Sequence, residues 1–295
     1  MEHRLIDFVK NHAITYYWAR LSANPSITME DIESNPQFKW EWAFISSNPN
    51  ITMKIVQNNF GKIWWNELSK NPAIKMKDII SFPEFTWSWV YVSSNPNISM
   101  NFVKENLGIG WCWDYLSQNP AIKLEDIENN ISLPWNWCYM SYNPNITIEF
   151  VKRNLDKTWN WSSLSRNPGI KLKDIESEIS LPWDWDFVSL NPNITIDFVK
   201  KNPDKKWDWN WLSRNRGIKL EDIENNPSLP WDFGYISDNP NITIGFVKKN
   251  LDKKWNWNWL SENSGIKIKD MQNNFTTILL SRISSRDYDN DLSVI

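Results

Sequence analysis

Residues 181–200 read Leu181-Pro182-Trp183-Asp184-Trp185-Asp186-Phe187-Val188-Ser189-Leu190-Asn191-Pro192-Asn193-Ile194-Thr195-Ile196-Asp197-Phe198-Val199-Lys200. Two tryptophans lead to a serine, then to Asn191-Pro192, then to Ile194-Thr195 and the apolar pair Phe198-Val199. Moving 48 residues in either direction recovers the same order, as Asn143-Pro144-Asn145-Ile146-Thr147 with Phe150-Val151 and as Asn239-Pro240-Asn241-Ile242-Thr243 with Phe246-Val247. Self-similarity at a fixed period marks a repeat architecture and governs every other reading of such a chain.

The shorter period is 24. Its asparagines are Asn24, Asn48, Asn71, Asn95, Asn119, Asn143, Asn167, Asn191, Asn215, Asn239 and Asn263, with a single interval of 23 between Asn48 and Asn71. A serine always stands two before, from Ser22 to Ser261, and an isoleucine three after, from Ile27 through Ile51, Ile146 and Ile242 to Ile266. Aromatics form two further columns. One runs Tyr16, Trp40, Trp64, Trp87, Trp111, Trp135, Trp159, Trp183, Trp207, Trp231, Trp255; the other Trp18, Trp42, Trp65, Trp89, Trp113, Trp137, Trp161, Trp185, Trp209, Phe233, Trp257. In the short interval Trp64-Trp65 replaces the usual Trp-x-Trp.

Two classes of layer alternate. One has Asn-Pro-Asn-Ile-(Thr/Ser) followed by an aromatic–valine pair such as Phe102-Val103. The other has Asn-x-(Ala/Gly)-Ile-Lys followed by Asp-Ile, as at Asp78-Ile79, Asp126-Ile127, Asp174-Ile175 and Asp222-Ile223. About eleven layers make one repeat domain over 1–283. Residues 1–23 serve as its N-terminal cap, with 5–10 as the back half of a further layer. Residues 264–283 form a degenerate C-terminal cap that has leucine and serine (Leu279, Ser281) where tryptophans belong. Residues 284–295 are a polar tail expected to be disordered.

Each layer is expected to hold two short helices. The first begins after Ile-Thr, where Thr195 can cap the free amides of the first turn; Lys171, at the equivalent place, offers no such cap. The second holds the tryptophans, with Pro182 at a tolerated first-turn position. At 100° per residue Trp183 and Phe187 fall on one side and Trp185 and Val188 on the other, as in a helix covered on both sides. Lys206-Trp207-Asp208-Trp209-Asn210-Trp211 also alternates like a strand. Helix is preferred because an aliphatic residue or methionine (Ile45, Val92, Met140, Leu260) sits three before the asparagine. The residue before proline is pushed out of the α region, so Asn-Pro ends the second helix. The recurring asparagines and serines are then turn elements whose side chains bond neighbouring backbone. The fold class is all-α: an α-solenoid of two-helix repeats.

The Ser-x-Asn-Pro turn and the 24-residue spacing resemble the leucine-rich repeat variant family, which implies a solenoid alternating α and 3₁₀ helices. Trp-x-Trp replaces that family's aliphatic–arginine pair, and Ile-Thr or Ile-Lys its Thr-Pro. Asn-Pro-Asn-Ile-Thr with Trp-(Asp/Asn)-Trp-x-x-(Leu/Val)-Ser is closer still to the tryptophan-rich repeat proteins of mimivirus-like giant viruses. That resemblance implies a viral source and a host-cytoplasmic or virion location, and it carries no catalytic residue.

Composition narrows function further. The chain has 295 residues, 22 of them tryptophan and 38 asparagine, with a net charge of −3. It is therefore not a nucleic-acid-coating polycation. No apolar run reaches the 18 residues of a membrane span, and none of signal-peptide length follows Met1-Glu2-His3-Arg4, so no membrane association and no secretion are expected. Cys112 and Cys138 fit a reducing compartment better than a disulfide framework. Histidine occurs only as His3 and His12, no glycine-rich phosphate loop is present, and no zinc-like spacing occurs. Asp126, Asp174 and Asp222 recur with the repeat and so read as fold elements. No enzyme activity, cofactor, metal or small-molecule substrate is expected.

The chain is expected to be a scaffold for another protein or for copies of itself. Its structural columns include Asn48, Asn95, Asn143, Asn191 and Asn239, with Trp111, Trp113, Trp135, Trp137, Trp183 and Trp185 as core. The position before each asparagine varies, and its side chains Lys70, Gln118, Tyr142, Arg166, Leu190 and Asp238 are the candidate partner contacts. Trp211 and Trp259 join them, with Tyr139 and Tyr235 as further aromatics outside the columns. Bands of lysine (Lys152-Arg153, Lys200-Lys201, Lys248-Lys249) alternate with acids, which predicts layer-to-layer ion pairs such as Lys200 with Glu176 or Glu224. A basic stripe for an anionic partner, or side-by-side association of copies, is the competing reading of those bands. A ladder of exposed tryptophans binding glycan or single-stranded nucleic acid is the alternative function.

Overall fold

A computed structural model describes residues 22, 25, 27–263, 265 and 266, and every regular element among them is a helix. The expected N-terminal cap apart from Ser22, both histidines, the C-terminal cap beyond Ile266 and the polar tail lie outside the described residues. The chain divides into two compact units, one ending at Asn160 and the other beginning at Trp161. Each is an α-solenoid built from the same layer.

A layer holds a front helix, as in Met100–Glu105 or Ile148–Arg153, and a tryptophan helix, as in Trp113–Gln118 or Trp137–Met140. The second unit runs Trp161–Ser165, Leu172–Ser177, Trp185–Val188, Ile196–Lys201, Trp209–Arg214, Leu220–Asn225, Phe233–Ile236, Ile244–Lys249 and Trp257–Glu262. Helices of this length do not persist alone in water, because nucleation costs more than so few hydrogen bonds return. Stacking must hold them. Both helices of a layer are α; among the described residues the only 3₁₀ helix is Phe60–Lys62, so the implied alternation of α and 3₁₀ is not what the chain adopts.

The two classes cap their front helices in complementary ways. Thr52, Ser99, Thr147, Thr195 and Thr243 each accept the amide three residues on. Where lysine holds that position the bond is reversed: Asp174 Oδ2 accepts the Lys171 amide at 2.8 Å, and Asp222 that of Lys219 at 2.8 Å. This is the reciprocal half of a capping box: it fixes the N-cap amide, while the first-turn amide that threonine would bond has no side-chain acceptor. Thr28 and Asp31 carry both halves. The Asp-Ile column is thus a fold element.

The tryptophan helix starts later than its pattern suggests. Asp184 is its N-cap in extended conformation (φ −88°, ψ 102°), so Trp183 precedes the helix and Pro182 lies outside the first turn. The first tryptophan of each pair is fixed separately. Its indole Nε1 donates to the carbonyl five residues earlier, at 2.8 Å for Trp183 to Glu178 and 2.9 Å for Trp135 to Asn130. That carbonyl belongs to the end of the front helix, the C-cap in the case of Glu178 and the residue after the C-cap in the case of Asn130, so one bond ties the two helices of a layer together. Asparagine is usual there, and its amide also reaches back to the i−4 carbonyl, as Asn202 does to Phe198 at 2.9 Å.

The 23-residue layer departs from the sequence-based columns. Ile63, not Trp64, takes the buried first-column place, while Trp64 is the N-cap of Trp65–Ser69 and is 59% exposed. The Trp64 amide makes the N-cap bond to Ser46 Oγ at 3.0 Å that other layers make from their N-cap. The missing residue lies between the C-cap Asn59 and Ile63, where the chain tightens into the 3₁₀ turn.

Layers are joined by polar and aromatic contacts in the same register each time. Asn191 Nδ2 donates to Ser165 O (2.9 Å), Asn167 O (3.1 Å) and Ile170 O (3.3 Å) of the layer before, while its Oδ1 accepts the amide of Asn193. Asn143 does the same toward Ser117, Asn119 and Ile122. Ser165 Oγ accepts the amide of Asp184, and Ser213 Oγ that of Asp232, both at 2.9 Å. These serines and asparagines are buried, and no described buried side-chain polar atom lacks a partner. Beside them the second-column aromatic of one layer meets the first-column tryptophan of the next edge to face. Trp113–Trp135 stand 5.2 Å apart at 89°, Trp185–Trp207 5.3 Å at 81°, and Phe233–Trp255 5.2 Å at 88°. That geometry sets a ring's positive edge against its neighbour's negative face. The turn isoleucines Ile51, Ile146 and Ile242 fill the core behind them, as does Leu164.

The position two after the turn asparagine distinguishes the classes. Asn193 Nδ2 reaches back to Pro168 O (3.1 Å) and Ile170 O (2.9 Å). In the other class a Cβ at Gly217 would come within 2.6 Å of Ile194 O and 2.7 Å of Pro192 O, so the backbone itself makes the close approach. Alanine fills the same place at Ala73 and Ala121 in the first unit.

Candidate functional site

The second unit carries a groove of about 370 Å³ on its turn side. Two columns line it. Arg166, Leu190, Arg214 and Asp238 stand immediately before successive turn asparagines; Pro168, Pro192, Arg216 and Pro240 stand immediately after them. Three of the candidate contact residues, Arg166, Leu190 and Asp238, are thereby brought together. The helix ends where the chain is forced extended at Asn-Pro, so the residue before each asparagine is presented outward while the asparagine turns inward and is consumed.

Charge in the groove is partly paired. Arg214 Nη2 lies 2.7 Å from Asp238 Oδ2 and its guanidinium stands 5.9 Å from the Trp259 ring. The Arg166 guanidinium stands 5.4 Å over Phe187. Arg216 is exposed, at the one described turn where proline is replaced. Beneath the arginines the position four before Asn191, Asn215, Asn239 and Asn263 is aromatic: Phe187 and Trp211 lie 4.9 Å apart, Tyr235 and Trp259 5.4 Å. Trp211 and Trp259 are half-buried props of this face.

In the first unit the same columns carry different side chains. Lys70 pairs with Glu67 at 3.0 Å and stands 5.5 Å over Tyr91. Gln118 ends its helix half-buried, while Tyr142 is exposed with its ring 6.4 Å from that of Tyr139.

The tryptophan columns take different positions. Trp111, Trp135 and Trp183 are buried; Trp113, Trp137 and Trp185 are half-buried. The outer face of the latter meets lysine: Lys157 stands 5.7 Å from Trp137 and Lys205 5.3 Å from Trp185. Each of these lysines also holds the preceding aspartate, and that hydrogen bond, before any other cause, keeps the Asp156 and Asp204 carboxyls below the usual range.

Ion pairs between layers exist at Arg153–Glu128 and Lys206–Asp186. Lys200 does not reach Glu176 or Glu224; it donates to Asn226 Oδ1 at 3.0 Å. Cys112 and Cys138 are free thiols. Among the described residues no group of three His, Cys, Asp or Glu side chains is placed to hold a metal ion, and no helix is long and apolar enough to cross a membrane.

Two surface features escaped sequence reasoning. Arg214 and Arg216 complete the groove, and the signal for Arg216 was the break in the proline column. The other is an exposed apolar residue after four successive front helices, at Leu107, Ile131, Leu155 and Ile179. It was signalled only by a further 24-residue column. No family model, curated protein or solved structure matches the chain.

Proposed function

We propose that this protein is a non-enzymatic repeat scaffold that binds another protein through the turn side of its layers. One observation carries the reading. Side chains that differ from layer to layer (Arg166, Leu190, Arg214, Asp238) line one groove, whereas the serines and asparagines beside them are identical and buried. A scaffold that keeps its bonding constant and varies one outward column can change partner without changing fold. The setting that goes with this reading, on resemblance alone, is a giant-virus protein in the host cytoplasm or the virion.

The test uses the full chain, immobilised, with native-host extract. Leu190→Glu and Asp238→Lys should leave the unfolding temperature within a few degrees and remove a specific co-purifying protein; Lys201→Ala, away from the groove, should keep it. Retention of that protein by both groove variants, or catalytic turnover by pure folded protein, would defeat the proposal.

The guanidinium–aromatic pairs Arg166–Phe187 and Arg214–Trp259 favour single-stranded nucleic acid as the second reading. Strong quenching of indole emission by an oligonucleotide would support it.

A further inference from the structure

We infer that the groove of the second unit takes an extended acidic peptide segment, an inference that rests on the scaffold reading above. The groove's charge is opposite to that of the chain. Three arginines and one aspartate line it, whereas the whole chain carries −3. Asp238 answers Arg214, and Arg216 is exposed with no ion pair or hydrogen bond to its side chain among the described residues.

Apart from Asn215, whose amide is spent on Ser189 O, the remaining lining is apolar and offers no neutral donor. Pro168, Pro192 and Pro240 have no N–H, and Leu190 lies between them. The nearby turn amides are already used: Gly217 N–H donates to Asn215 Oδ1 at 2.7 Å and Ile218 N–H to Asn215 O at 3.0 Å. The turn asparagine amides are spent on the preceding layer. What the groove can recognise is therefore chiefly anionic oxygen, in a peptide the carboxylates that guanidinium forks bind in bidentate fashion, with apolar side chains between them.

The spacing suits an extended chain. Adjacent helix layers stand roughly 8–10 Å apart, and an extended peptide advances about 3.3 Å per residue. About three peptide residues thus pass each layer, and because the arginines stand in alternate layers (Arg166, then Arg214 and Arg216), acids about six positions apart meet them; a peptide with an acid at every third position satisfies that register wherever it starts. Nucleic acid fits less well, because its bases need open aromatic faces and the rings beneath these arginines pack against one another.

Fluorescence anisotropy with the full chain tests this, using labelled peptides of one length: a Glu-Leu-Pro repeat, its Gln-Leu-Pro and Lys-Leu-Pro counterparts, and oligothymidylate. The acidic peptide should bind best, about tenfold or more tighter than its neutral counterpart, and should weaken as salt rises. Arg216→Pro restores the residue found at nine of the other ten turns and should weaken the acidic peptide about tenfold while leaving circular dichroism unchanged. Arg166→Gln should do the same and stands in should Arg216→Pro misfold. Equal binding of neutral and acidic peptides, unchanged affinity in both variants, tighter binding of oligothymidylate, or no binding of any peptide would each overturn the inference. The first of these would leave the scaffold reading standing, and that reading falls separately if groove variants keep the co-purifying protein.

Discussion

Asn191 shows how much one side chain does in this fold. Its carboxamide closes its own turn through Oδ1 and holds three carbonyls of the preceding layer through Nδ2. A hydrogen bond contributes about 1 kcal/mol net, and a buried group left unpaired costs about 1–3 kcal/mol. Asn191→Ala should therefore destabilise by roughly 2–4 kcal/mol in urea unfolding. Asn191→Asp should be worse at neutral pH, because a carboxylate cannot donate and its charge is buried. Burial raises that carboxyl's pKa when folded, so part of the loss should return as pH falls and the group protonates. Ile63 and Trp64 give a second contrast. Ile63→Ala should cost about 2–4 kcal/mol and Trp64→Ala within about 0.5 kcal/mol, the reverse of what the tryptophan pattern suggests. Trp64 was misplaced because a doubled tryptophan satisfies the eye in either register. Only the N-cap bond to Ser46 Oγ reveals which of the two residues stands outside.

At the scale of the element, two short helices joined by an Asn-Pro turn were legible, because proline, serine and threonine act through local backbone rules that need no tertiary information. The start of the tryptophan helix was not. Periodicity treats Trp183 and Trp185 alike, whereas the indole N–H of Trp183 belongs to the end of the front helix and holds its residue extended. The lysine-led caps were hidden for a related reason: half of a capping box lies in the aspartate three residues on. This yields a gain-of-stability prediction. Lys219→Thr would add the missing half beside Asp222 and reproduce the Thr28–Asp31 arrangement. It should stabilise by about 0.5–1 kcal/mol, read as a rise in the urea midpoint with unchanged m-value. The groove was half legible. Variation before each asparagine named Arg166, Leu190 and Asp238, but their convergence with Arg214 and Arg216 depends on how successive turns stack.

At the scale of the molecule, the repeated bonds run between adjacent layers, so stability is close to a sum of layer and nearest-neighbour contributions. Hydrogen exchange should show this. Asn215→Ala should raise exchange most at the amides of its own layer and the two beside it, with the effect fading in more distant layers of the same unit. Uniform acceleration across that unit would mean one cooperative block. The indoles report on the same architecture: emission should be blue-shifted, with little quenching by caesium, because most first-column rings are buried and Lys157 and Lys205 beside second-column ones repel a cation.

The cross-layer bonds of the serine and asparagine columns point one way. Asn191, Asn215 and Asn239 donate to the layer that precedes them, and the amides of Asp184, Asp208 and Asp232 donate to serines of the layer before. A polypeptide leaving the ribosome thus has its acceptors already laid down when each donor emerges. Growth can proceed like courses of masonry, every new course seating on a finished one and waiting for nothing still to be synthesised.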